Sequence, residues 1–499
     1  MRILLVAASH EIFVMSAAPL GLAYLAACLR LEGHKVEVAD ASICVKRGVD
    51  ARTEILRQLD RFDPELVLCS IRNLDWTTWP FNIFSYRPAE ALIRAIRART
   101  HAPIVLGGPG FTVCSEAILR ELGPGYLGVI GEGEEVVVQI ARTLELGGDP
   151  HRLTRGITYL DDSGHLVQQP FWRVSQLESL PFPARDLLDN SSYTLFDGRP
   201  IANLQTSRGC ARDCVFCTYP HIEGRALRRR TARSVVAELR EVTERFGIHN
   251  VFFVDNVFNQ TPDHVRHVCE EIVRSQLDVA WGANVRVDAP AVEAIPLMKQ
   301  AGCAHISIGA DALTNRSLQS LRKGTTTGLI RAMVEQCRRL DIEVFFSVFV
   351  GNPGETMADA EMTLQTLETM EFPKTSWEGT QPVLIQCGLR VYPHTPLQTL
   401  ALAEGAPAGN EDLLFPQIYL SPAIEASELL DMVQTYLARH PTWFCAGLPQ
   451  PGTTSLEPLI LAQLEGYRDS SVILNDLNPE SLVRMRPDTP PRVPAARAG

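Results

Sequence analysis

The sequence predicts an α/β protein in three parts: an open parallel sheet covered by helices, a set of βα units that closes or partly closes into a barrel, and a mainly helical C-terminal extension. Over residues 1 to about 145, short Val-, Ile- and Leu-rich runs alternate with helix-length segments, the pattern of a parallel sheet buried on both faces. A second series of such units follows from about residue 196, with the repeat size of a barrel whose chemistry sits at the carboxyl ends of its strands. The 499 residues, 45% apolar and 21% charged, can fill more than one core.

The elements follow in chain order. Ile3–Val6, Val36–Val38, Leu66–Ser70 and Ile104–Leu106 read as strands, separated by helical Leu20–Leu31 and Ala89–Ala98 and followed by Val136–Leu144. Small or polar residues stand after the strands: Ser9-His10, Ser70 to Asn73, Gly107 to Gly110, and Gly131 to Glu134 after Val129-Ile130. In open α/β layers ligands settle at such strand ends. A hairpin-like Ile157–Val167 and then Leu180–Arg185 form a strap over residues 150–195. The barrel strands are Asn250–Val254, Ala280–Ala283, His305–Ile308, Val344–Val350 and Val383–Gln386, alternating with helices such as Asp263–Ser275 and Thr327–Leu340. Beyond residue 400 the chain reads as mainly helical, with Trp443-Phe444-Cys445 covering a pocket or finishing the core, and a Pro-, Ala- and Arg-rich end from Asp488. The domain division is therefore 1–149, a strap at 150–195, 196–400, and an extension at 401–499.

Composition excludes several classes. Lys and Arg number 47 against 58 Asp and Glu, a net charge of −11, which argues against a general nucleic-acid binder; the run Arg225, Arg228, Arg229, Arg230, Arg233 reads as a solvated helix entry. No apolar stretch reaches the roughly 18 to 20 residues of a membrane span. Ile3–Ala8 stops at His10-Glu11, as a strand does and a signal peptide does not. The expectation is a cytoplasmic protein with reduced thiols, in which any close grouping of its 12 cysteines points to metal or redox chemistry.

One grouping exists. Thr206-Ser207-Arg208-Gly209-Cys210-Ala211-Arg212-Asp213-Cys214-Val215-Phe216-Cys217 supplies three thiols at C-x3-C-x2-C, and iron–sulfur clusters are held by cysteine sulfur. Zinc is the competing reading, with His221 as the near candidate for a fourth ligand. The other nine cysteines read as small buried hydrophobes, Cys387 at a late strand end being the one worth testing as a thiol. The loop, with an aromatic before its third cysteine, resembles the radical SAM superfamily signature. The resemblance implies a 4Fe-4S cluster on Cys210, Cys214 and Cys217, whose open iron takes S-adenosylmethionine (SAM), with Phe216 near the adenine. It implies further SAM contacts at Asn256, Asn284, Arg286, Ser307, Asp311 and Gly351, the last in a Gly351-Asn352-Pro353-Gly354-Glu355-Thr356 turn. The family's usual Gly-Gly-Glu is absent; Asn256 stands in for it, with Asp255 bracing the loop. Each of these polar positions also reads as a helix cap or turn brace.

The segments Ala18 to Ala26, Gly33 to Val38, Gly107-Gly108-Pro109 and Gly131 to Glu134 resemble the cobalamin-binding domain that precedes many radical SAM domains. This implies a flavodoxin-like, Rossmann-type fold with cobalamin against Ser9, Ser70, Arg72, Gly107, Gly108, Gly131, Glu132 and Gly133. The Asp-x-His-x-x-Gly of histidine-ligating relatives is missing around His10, so the expectation is a base-off, His-off corrinoid, with Arg72 either beneath the metal or in a surface ion pair. Together the resemblances imply a cobalamin-dependent radical SAM methyltransferase acting on an unactivated carbon or phosphorus of a small-molecule, lipid or peptide substrate. It would draw single electrons from a flavodoxin- or ferredoxin-like reductant. Alternatives are cyclisation, ring contraction or rearrangement without methyl transfer, and a non-catalytic cobalamin or iron–sulfur sensor.

Overall fold

The computed structural model describes residues 1–9, 17–79, 81–195, 197–373, 383–405, 413–445 and 448, without the side chains of 76–78 and 81–83. His10 and the stretch from Asp488 lie outside the described residues. The first sheet holds parallel β1 (Arg2–Ala7), β2 (Lys35–Asp40), β3 (Leu66–Ser70), β4 (Ile104–Gly107) and β5 (Leu127–Val129). Antiparallel β6 (Ile157–Leu160) and β7 (Leu166–Gln168) extend it. The order β2-β1-β3-β4-β5-β6-β7 contains the 2-1-3-4-5 arrangement of flavodoxin-like sheets, with its switch point between β1 and β3.

The continuous apolar run of β1 follows from burial on both faces. Ile3 and Leu5 pack against Leu22, Ala26 and Ile140, while Leu4 and Val6 pack against Ile55, Leu59 and Ile93; all four strand residues are fully buried. The hairpin that the sequence places in the strap continues this sheet, so the strap proper begins only after Gln168. The strap is tied back by Tyr193, whose hydroxyl donates to Asp40 (2.8 Å), and by the Ala184 N–H on Ala23 O (2.9 Å).

The second sheet is parallel and sequential: β8 (Ile201–Leu204), β9 (Asn250–Phe253), β10 (Ala280–Val285), β11 (Cys303–Asp311), β12 (Glu343–Val350), β13 (Val383–Cys387) and β14 (Trp443–Phe444). Among the described residues β8 and β14 remain edges, which makes the barrel partial. In β12 Val344, Phe346, Val348 and Val350 are buried beneath the outer helices, whereas Glu343, Phe345, Ser347 and Phe349 are only half-buried. The inner face is thus left open by the packing.

Helices Pro396–Ala403 and Ala426–Arg439 form the described helical part of the extension. Trp443 and Phe444 lie on a strand beside Val383 and Leu384, and Trp443 completes the core. Among the described residues no helix is long and apolar enough to cross a membrane.

Candidate active site

The carboxyl ends of β1, β3, β4 and β5 open onto a cavity of about 310 Å³. All eight first-half positions singled out in the sequence line it: Ser9, Ser70, Arg72, Gly107, Gly108, Gly131, Glu132 and Gly133. Gly108 has φ +98°, and a Cβ there would sit 2.6 Å from Ile71 O and 2.7 Å from Ser70 Oγ, so only glycine lets β4 turn this close beneath the loop after β3. Ser9 Oγ pins that loop by accepting from Arg72 N at 2.8 Å. Glu132 does different work: its buried carboxylate accepts from Val174 N (2.8 Å) and pairs with Arg228 (2.5 Å) and Arg208 (3.2 Å).

The opposite wall belongs to the second half of the chain. Asn203, Gln205, Arg208, Tyr219, Ile222, Glu223 and Val254 line it, from the ends of β8 and β9 and from the short helix Tyr219–Ile222, which starts two residues after Cys217. The two halves are locked by buried charges: Arg208 reaches Glu134 (2.6 Å), and Arg390 (2.9 Å) and Tyr392 (3.0 Å) hold Asp75. Each partner would be costly to leave alone in that environment.

The cysteine loop leaves β8 over a buried acidic brace. The Asp255 carboxylate accepts from Thr206 N (2.6 Å), Thr206 Oγ1 and Ser207 Oγ (2.9 Å), and burial pushes Asp255 up to about 6. Asp255 therefore braces the loop, as its alternative reading has it. Gly209 has φ +94°, and a Cβ there would clash with Ala226 O. Its N–H donates to Glu223 Oε2 (2.8 Å), and its carbonyl accepts from Asn256 Nδ2 (3.2 Å) and Gln260 Nε2 (2.5 Å). Burial raises Glu223 to about 7.

Cys210 is buried, and Cys214 and Cys217 are half-buried. Burial lifts the Cys217 thiol to about 12 and also raises Cys214, whose thiolate Lys323 favours. Binding a metal would release these protons, since the thiolate is the ligand. Among the described residues no three His, Cys, Asp or Glu groups converge on a point as one ion requires. His221 is stacked on His394 (centroids 4.0 Å apart, planes 8°) and edge-on to Phe171. In a cluster each thiolate takes its own iron, and the loop supplies three free thiols.

The strand ends around the loop carry the remaining candidates. Phe216 packs edge-to-face on Phe349 at 5.4 Å. Arg286 is half-buried, donates to Gly324 O (2.9 Å), and has an Nε that makes no hydrogen bond among the described residues and lies 3.8 Å from Asp288; Asn352 Oδ1 is buried and has no hydrogen-bond partner among them. Such groups fit a polar ligand that brings its own partners. Ser307 is the register neighbour of Asn284, whose Nδ2 donates to Asp255 O (3.3 Å). Asp311 is buried at the end of β11 and pairs with Lys323 at 2.5 Å. Asn256 is engaged in holding Gly209 and Glu223, and Gly351 N–H donates to Glu355 Oε2 (2.8 Å). Glu355 is thus a turn brace, and Thr356 is the cap of the next helix through a capping box with Asp359. Glu223 and Gln260 were not singled out in the sequence, whereas Lys323 and Asn352 stood there only inside family-like segments, Leu321–Gly324 and the Gly351–Thr356 turn, with no role of their own. Only the short separation of Glu223 from Cys217, and of Lys323 from Asp311, could have drawn attention to them.

Comparison with known families decides between the readings. Residues 204–367 match the Radical SAM superfamily, and residues 13–141 match the B12 binding domain. The chain carries a radical SAM domain and, before it, a B12-binding domain. The chain is 26% identical over 386 residues to an uncharacterized methyltransferase, PH0819, of Pyrococcus horikoshii, covering 77% of this chain and 78% of that one. It is 28% identical over 334 residues to the hopanoid C-3 methylase of Methylococcus capsulatus, covering 65% of this chain and 59% of that one. The fold matches that of the radical S-adenosylmethionine methyltransferase TsrM from Kitasatospora setae, solved with cobalamin and a 4Fe-4S cluster bound, with TM-score 0.73, 21% identity, and coverage of 94% of this chain and 96% of that one. The B12-binding match overlies the glycine-cradled wall of the cavity, and the radical SAM match overlies the cysteine loop and β9 to β12.

Proposed function

We propose that the chain is a cobalamin-dependent methyltransferase that moves a methyl group from methylcobalamin to an unactivated carbon or phosphorus of a small metabolite, lipid or peptide. The observation that carries this reading is the shared cavity: one wall is the glycine cradle of the first sheet, and the other is the helix that leaves the cysteine loop. When bound, the cluster would supply single electrons to SAM, and the corrinoid would carry the methyl group. Cys210, Cys214 and Cys217 hold the cluster in this reading, while Arg286 offers a planar fork to the SAM carboxylate and Phe216 lies against the adenine. Ser307, Asn284, Asp311 and Asn352 complete the SAM side. Gly107, Gly108, Gly131 and Gly133 let the corrinoid approach the backbone, with Ser70 and Arg72 at the loop after β3. A strap from residue 169 to 195, a boundary at 400 and an external flavodoxin- or ferredoxin-like electron donor belong to the same reading, with the hairpin to Gln168 counted in the first domain.

Anaerobic incubation of reconstituted enzyme with SAM, reductant and methylcobalamin tests it. Formation of S-adenosylhomocysteine together with 5′-deoxyadenosine is the expected result. Deoxyadenosine alone supports cyclisation or rearrangement instead, and neither product overturns the assignment.

A further inference from the structure

We propose that Glu223 is a positioning residue that couples filling of the interdomain cavity to the geometry of the cysteine loop; the inference rests on the cofactor reading above. Glu223 follows the helix Tyr219–Ile222 and lines the cavity with Tyr219 and Ile222. Its other side holds the loop. Oε2 accepts from Gly209 N (2.8 Å) and Asn256 Nδ2 (3.0 Å), and Oε1 accepts from Gln205 Nε2 (3.4 Å). The next carbonyl, Gly224 O, accepts from Cys210 N at 2.9 Å. Glu223 and Gly224 thus hold both backbone N–H groups that lead into the first cysteine.

Gln205, which also lines the cavity, reaches the loop only at the Arg208 side chain (2.8 Å) and not at its backbone. Asp255 and Gln260 grip Thr206, Ser207 and Gly209, but neither lines the cavity. A corrinoid in the cavity would remove the remaining water from the Glu223 carboxyl group, which, charged or protonated, still accepts from Gly209 and Asn256. The hydrogen bonds to Gly209 and Asn256 would then carry its stabilisation, and a hydrogen bond strengthens as its surroundings lose water. The loop is thereby held more firmly when the cavity is full. By linkage, an ordered loop favours filling by the same factor.

The test compares full-length wild type, Glu223→Ala, Glu223→Gln and Gln260→Ala, each reconstituted anaerobically with iron and sulfide. The rate of cluster loss to excess ferrous chelator is followed by visible absorbance, with and without saturating hydroxocobalamin. Wild type is expected to lose its cluster about tenfold more slowly with hydroxocobalamin, within the usual range of site-to-site coupling. Glu223→Gln keeps this protection because its carbonyl still accepts, and Glu223→Ala loses it. Gln260→Ala speeds the loss equally in both conditions and keeps the protection. Should the alanine variant not fold, Glu223→Met fills the volume without a strong acceptor and carries the same expectation. Full protection in Glu223→Ala or Glu223→Met, or its equal loss in Gln260→Ala, overturns the proposal. A wild type that binds both cofactors but shows no protection overturns the coupling and leaves the cofactor reading standing. A wild type that takes up neither overturns both.

Discussion

β1 and β12 meet the same demand, burial of a parallel strand, in opposite ways. In β1 four consecutive residues, Ile3 to Val6, are fully buried, because helices cover both faces. In β12 only alternate residues are buried, and Ser347 and Phe349 face a half-open interior. A sheet sealed on both faces can receive a ligand only at its strand ends, whereas a partial barrel can also receive one along its inner face. The first half of the molecule is therefore suited to hold a cofactor at a glycine-lined edge, and the second to expose polar groups to a reactant.

Five substitutions break or sharpen this contrast. The largest effect is expected for Cys214→Ala in the second half, which should abolish both the cluster's visible absorbance and SAM cleavage while leaving corrinoid binding to the first half measurable by titration. Next, Leu4→Ala in the sealed sheet should cost about 2–5 kcal/mol in denaturant unfolding, as cavity-forming core truncations do, against no more than about 0.5 kcal/mol for Ser347→Ala on the open face. Equal costs would erase the distinction between the sheets. Gly108→Ala should destabilise by about 1–3 kcal/mol through the clash with Ile71 O and Ser70 Oγ, and should weaken corrinoid affinity without altering cluster content.

The smallest effect concerns pH. Asp255 is raised from 3.8 to about 6 by burial, so the folded chain binds more protons there than the unfolded chain. Its contribution to stability is fully present below the lower value and is lost as pH rises through the upper one. Unfolding of Asp255→Asn between those two pH values should show less decline with rising pH than wild type, and identical slopes would refute the assignment.

The strand ends of the first half were legible because glycine at such places has a physical reason: Gly108 and Gly131 turn at positive φ beside another backbone. The alternation of strands and helices likewise followed from continuous apolar runs such as Ile3 to Val6. The polar wall was not legible in the same way. Arg208 could pair with many acids, and its choice of Glu134, 74 residues away, exists only once both sheets have formed. Glu223 is similar: nothing in its neighbours says that its carboxylate will face Gly209. Trp443 and Phe444 fell in a stretch read as helical because two residues are too few to show an alternation, and their pairing with β13 comes from the sheet edge waiting there.

The buried pairs of Arg208 with Glu134 and of Arg390 with Asp75 join the two halves just beyond the carboxyl ends of their strands. Pulling the halves apart would break these pairs and expose to water the apolar surface packed around them. Heating should accordingly give one calorimetric endotherm in place of two. For the same reason, fragments cut between the sheets and produced separately would aggregate unless mixed while still unfolded.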